Sequence, residues 1–144
     1  MTFQFKEIKK YKKLIKDKEE IVLATLIKEK KSILQKINEL ENQHIGIQSK
    51  IRALYNDNFN LSLVNLYNDN LNIVSDEIKE NKNNIQEIDK KIESQKIIIK
   101  NATIEFKKFE KLEENHIKTQ TELEKYNEKK ELDEIVSNRE FRKE

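Results

Sequence analysis

Two histidines, His44 and His116, are the only imidazoles among 144 residues, and any chemistry of this chain would start with them. An imidazole can act as a general base, a proton shuttle or a metal ligand. A metal site needs three or four converging donors. The chain has no cysteine and no third histidine. Both histidines fall on apolar heptad positions, at opposite ends of the hairpin derived below, and read as packed or partly solvated seam residues. Carboxylates abound, but they recur as i,i+4 partners of lysine on open faces. Nothing there desolvates them and tunes them for acid–base work. Gly46 is the single glycine, so no glycine-rich loop can cradle a phosphate. The prediction is a protein with no catalytic centre, no cofactor and no metal. If ATP is consumed, a partner hydrolyses it.

Composition sets the elements that would carry any site. Proline is absent, and proline and glycine are the residues that most disfavour a helix. Charged residues make up 39% of the chain and hydrophobic ones 35%, too few apolar groups for a compact core but enough for one stripe per helix. Ile and Leu at regular spacing argue against disorder, which lacks such a period. A formal net charge of +2 argues against a nucleic-acid binder with one strongly basic face. No apolar run approaches the roughly 20 residues that span a bilayer. The start, Met1 to Lys6, lacks the apolar region of a secretory signal. The expectation is a soluble, cytosolic protein without direct membrane insertion.

The clearest period lies in the second half. Val64, Tyr67, Leu71, Val74, Ile78, Asn81, Ile85, Ile88, Ile92, Gln95, Ile99, Ala102, Phe106 and Phe109 follow at alternating steps of three and four. That is a heptad seam in search of a partner helix. The first half has a matching stripe: Leu26, Ile33, Ile37, Leu40, His44, Ile47, Ile51 and Leu54, with Lys30 as a weak point. Upstream, Ile8, Ile15 and Val22 repeat every seventh residue, and the step from Val22 to Ile33 reads as a four-residue stutter. Asn81 and Gln95 either fix the register or lie in a wet seam. Gly46 either permits a bend or reflects drift.

Tyr55 to Ser62 is rich in Asn, Asp and Ser, which compete with the helix through their own backbone and favour turns. Folding about Phe59 sets Leu54 against Val64, Ile51 against Tyr67, Ile47 against Leu71, Leu40 against Ile78 and Ile33 against Ile85. The predicted fold is all-α: one long antiparallel two-helix coiled-coil hairpin forming a single domain over 1–144. Helix 1 covers about 3–55, the turn about 56–62 and helix 2 about 63–140, with arms roughly 80 Å long. The second helix outruns the first, so the segment from about His116 to Glu144 is an overhang without an intrachain partner.

Three features are more than a solvated coil requires. Tyr55, Phe59, Leu61, Leu63, Leu66 and Tyr67 cluster at the turn, which cannot bury them all. Lys6, Lys9, Lys10, Lys12, Lys13 and Lys16 interleave with Phe3, Phe5, Ile8, Tyr11, Leu14 and Ile15, a pattern that suits a membrane surface or a protein partner. The overhang carries Leu123, Tyr126, Leu132, Ile135, Val136 and Phe141 on a lone helix, which is marginal in water.

The whole chain resembles the FliJ family of the bacterial flagellar type III export apparatus. The likeness rests on the Phe3-x-Phe5 start leading into Ile8-Lys9-Lys10-Tyr11-Lys12, the long heptad arms, the run Lys111-Leu112-Glu113-Glu114, and the closing segment Asn127 to Ile135 followed by Arg139 and Arg142. It implies a non-enzymatic stalk for the export ATPase ring in flagellum assembly and motility. The end bearing both termini would enter the hexameric ATPase. The remainder would reach the cytoplasmic domain of the export gate membrane protein and recruit export chaperones, at the cytoplasmic side of the membrane at the flagellar base. On that reading Phe3, Phe5, Ile8, Tyr11, Leu132, Ile135 and Arg139 grip the ATPase, and Tyr55, Phe59, Leu63 and Tyr67 meet the gate or chaperones. The free protein is expected to be a monomer. Rival readings are the stalk of a virulence type III system, a generic structural scaffold that self-associates, and a prefoldin-like chaperone with strands between its helices.

Overall fold

A computed structural model describes residues 2–143. Two helices account for nearly all of it: α1, Lys6–Asn56, and α2, Leu61–Lys143. They pack against each other as a helical hairpin, and no strand occurs among the described residues. That excludes the arrangement with strands between helices.

The sequence explains where the helices begin and end. Phe3 O accepts from Lys6 N at 3.3 Å and Phe5 O from Lys9 N at 2.9 Å, closing the first turn of α1, where Glu7 complements the positive end of the helix dipole. α1 ends as Asp57 N donates to Ala53 O at 3.0 Å. Asn60 then caps α2: its Oδ1 accepts from Leu63 N at 3.2 Å and its carbonyl from Val64 N at 2.9 Å. Asn is favoured there because its short side chain satisfies an amide that the helix leaves unpaired.

The chain divides into two compact units. The middle unit comprises Lys18–Ile99. Its core is Ile37, Leu40, Val64, Val74, Ile88 and Ile92, with Gln95 buried among them. Cross-helix contacts show the register: Lys30 Nζ lies 2.7 Å from Asp89 Oδ1, and Lys50 Nζ lies 5.9 Å from the centroid of the Tyr67 ring. These agree with folding about Phe59. One expectation changes. Val22 is 44% exposed, while Leu23 and Glu19 are half-buried. The α1 seam of this unit therefore runs Glu19, Leu23, Leu26, Lys30, Ile33 at unbroken heptad steps, and the stutter is absent. Lys30 is accommodated because its ammonium reaches Asp89 while its stem covers the seam.

The terminal unit comprises Met1–Asp17 and Lys100–Glu144. Here Phe5, just ahead of α1, and Lys9, Lys12 and Lys16 of α1 are all half-buried. Phe3 and Phe5 pack edge-to-face at 5.8 Å, Phe3 against His116 at 5.6 Å, and Phe5 against Phe109 at 5.9 Å. Intrachain packing thus reaches His116 and Gln120, and from Thr121 to Arg142 every residue of α2 is exposed.

Candidate binding surfaces

Among the described residues the depressions are open grooves along the helix surfaces. His44 lies half-buried in one such groove with Glu41, Ser75, Ile78 and Lys82 in the middle unit. His116 belongs to the terminal unit, where its Nε2 is buried without a hydrogen-bond partner and its ring packs on Phe3. Among the described residues no group of three or more His, Cys, Asp or Glu is placed to hold a metal ion. No described helix is long and apolar enough to cross a membrane.

What remains is surface, and it falls in two regions. At the turn, Tyr55 and Phe59 are exposed and pack as tilted rings, 5.3 Å between centroids and 37° between planes. Leu61 and Leu66 are exposed beside them in the first turns of α2, whereas Leu63 and Tyr67 are half-buried. Tyr67 lies under Lys50, whose Nζ is 5.9 Å from the ring centre. Two large rings fixed against each other in water form a preorganised apolar patch, the kind that marks a contact site.

The second region lies in the terminal unit. Ile8 and Tyr11 are exposed, at 41% and 61%, while Phe3 and Phe5 spend their rings on His116 and Phe109. Leu132, Ile135 and Arg139 are exposed on the overhang, with Leu132 roughly 24 Å beyond His116 along the helix at 1.5 Å per residue. α2 holds these three residues within two turns. No described contact joins them to Ile8 or Tyr11.

Heptad spacing alone does not single out a further patch on α2. Ile104 and Leu112 are exposed, with Lys107, Lys108, Lys111 and Asn115 around them. Lys108 Nζ is 3.3 Å from Glu105 Oε1. Its signal in the sequence is two isoleucine or leucine positions off the seam, which a single-stripe reading passes over.

The fold and these surfaces define a class: a two-helix coiled-coil hairpin whose distinctive groups lie on its outside. The particular family follows from comparison. The family model described as flagellar FliJ protein matches residues 1–144, the whole chain, and the chain belongs to the FliJ family. It is a component of the flagellar export apparatus. No curated protein and no solved structure matches the chain.

Proposed function

We propose that this chain is a non-enzymatic central stalk of the flagellar export ATPase ring. The terminal unit engages the hexameric ATPase. The turn contacts the cytoplasmic domain of the export gate and the export chaperones. The free protein is a monomer at the cytoplasmic side of the membrane at the flagellar base.

The observation that carries this reading is the exposure of large apolar side chains on the overhang of a FliJ-family chain, notably Leu132 and Ile135. Exposed apolar groups on a highly charged helix gain free energy only when something covers them, at about 25 cal/mol per Å² removed from water. Ile8 and Tyr11 add to the same unit, and Arg139 supplies a planar donor fork suited to a carboxylate.

The test is binding of the purified chain to the export ATPase of the same organism. Leu132→Asp with Ile135→Asp should leave the hairpin folded, because both side chains are exposed on the overhang, and should abolish ATPase capture. Full capture by the double variant would remove the overhang from the interface.

A further inference from the structure

The first turns of α1 in the terminal unit satisfy coiled-coil spacing in two ways. The structure uses Phe5, Lys9, Lys12 and Lys16, at steps of four, three and four. Phe5, Ile8, Lys12 and Ile15, at steps of three, four and three, fit the same rule. The two seams share Phe5 and Lys12. They differ only in whether Lys9 and Lys16, or the isoleucine just before each of them, point at α2.

The lysine seam is held by polar contacts. Lys9 Nζ lies 3.3 Å from Glu113 Oε2, with both side chains roughly three-quarters covered. Lys12 Nζ lies 4.0 Å from Glu105 Oε2, and Lys16 Nζ lies 5.6 Å from the centre of the Phe106 ring. Such contacts contribute little when water reaches them. Ile8 stands exposed and Ile15 half-buried, so this arrangement forgoes hydrophobic burial that the neighbouring seam would recover. Passing from one to the other needs a turn of α1 about its own axis by about 50°, half the angle between successive residues. If the isoleucine register ends at Ile15, the steps 15, 19, 23 are both of four residues, one stutter that regains the phase of Leu23 and Leu26. Lost ion pairs and a stutter oppose the burial that Ile8, 41% exposed here, would recover.

We propose that residues 6–17 of α1 are bistable, alternating by axial rotation between a lysine seam and an isoleucine seam against α2. Ile8 is presented to a partner only in the lysine seam. Resting on the proposed function, this means that an ATPase contacting Ile8 binds one state and shifts the population toward it. Without any partner, the two packings still coexist in the isolated protein.

The chain has no cysteine, so engineered pairs introduce the only thiols. A disulfide forms only when the two Cβ atoms approach to about 3.5–4.5 Å, which separates the seams. Lys9→Cys with Glu113→Cys reports the lysine seam, and Ile8→Cys with Glu113→Cys the isoleucine seam. Oxidation of the isolated full chain should link both pairs, at rates within about tenfold of each other, as two substantially populated states require. Adding Lys16→Leu, which makes the lysine register apolar, should slow the Ile8 pair and speed the Lys9 pair. Lys16→Cys and Ile15→Cys, each with Phe106→Cys, repeat the comparison one heptad on, should the first pair disturb folding as read by circular dichroism. Linking of the lysine-position pairs alone, linking of neither set, or indifference to Lys16→Leu overturns the proposal. Because no ATPase is present, that result leaves the stalk reading standing.

Discussion

Gln95 crosses the seam of the middle unit to Glu19: its Nε2 donates to the Glu19 main-chain oxygen at 2.9 Å and to the Glu19 carboxylate at 2.5 Å. Gln95 is 6% exposed and the only buried polar side chain among the described residues. A buried amide that finds its partners at one axial position penalises every other position. Replacing it with leucine removes that penalty at little cost in stability, since polar seam groups contribute specificity more than free energy. Gln95→Leu should therefore leave the unfolding free energy unchanged or raise it, by about 4 kcal/mol at most. It should also broaden the distance distribution between spin labels on Gln35→Cys and Asn83→Cys, both exposed on the outer faces of the unit. An unchanged narrow distribution would show that the apolar layers alone fix the register.

Leu40 is 2% exposed, the largest fully buried side chain among the described residues. Two helices offer few neighbours to collapse into a void, so truncation loses the transfer free energy and leaves most of the cavity. Leu40→Ala should cost about 2–4 kcal/mol in denaturant unfolding. The adjacent pair Lys82–Glu41, at 3.8 Å with both side chains about half or more exposed, should by contrast contribute under about 0.5 kcal/mol when removed by Lys82→Ala. Equal losses would mean that charge, not the apolar seam, holds the arms together.

Gly46 has no conformational reason to be glycine. Its φ is not positive, and a Cβ built on it would meet nothing within 4 Å. Gly46→Ala should raise the unfolding free energy by roughly 0.5–1 kcal/mol, the helix-propensity difference for an exposed interior site. A lower melting temperature would show that the backbone at Gly46 is used in a way the isolated chain does not display.

The α2 seam is legible in the sequence, whereas the beginning of α1 is not. From Val64 to Phe109 every heptad position predicted from spacing is buried or half-buried, because isoleucines, leucines and aromatics occupy most of them. In α1 the hydropathy pattern follows Ile8, Ile15 and Val22; Ile15 is half-buried, but Ile8 and Val22 are exposed while Lys9 and Leu23 turn inward. Hydropathy treats lysine as a surface residue. In a seam only two helices thick its four-carbon stem can lie across the apolar stripe and still deliver the ammonium to Glu113 or the Phe106 face. The exposed Tyr55–Phe59 pair was readable, since an eight-residue turn cannot cover two rings. The packing of Phe3 on His116 was not, because no period links a residue ahead of α1 to one so far along α2.

Tyr55 and Phe59 pack as tilted rings in the open, and neither ring enters the seam. Phe59→Ala should thus alter thermal stability little, by under about 1 kcal/mol, as surface substitutions do. Tyr67 differs: it is a half-buried heptad residue beneath Lys50, and its truncation removes packing as well as surface. The informative variant is therefore Tyr55→Ala with Phe59→Ala, run beside Phe59→Ala with Tyr67→Ala. If the turn meets the export gate or a chaperone, both variants lose that binding and both keep the ATPase, and only the second lowers the melting temperature. Loss of gate and ATPase binding together, in a variant that still melts like the parent, would place the two partners on one surface. Loss of neither would leave the exposed rings without a partner, and the gate contact would have to be sought along the arms.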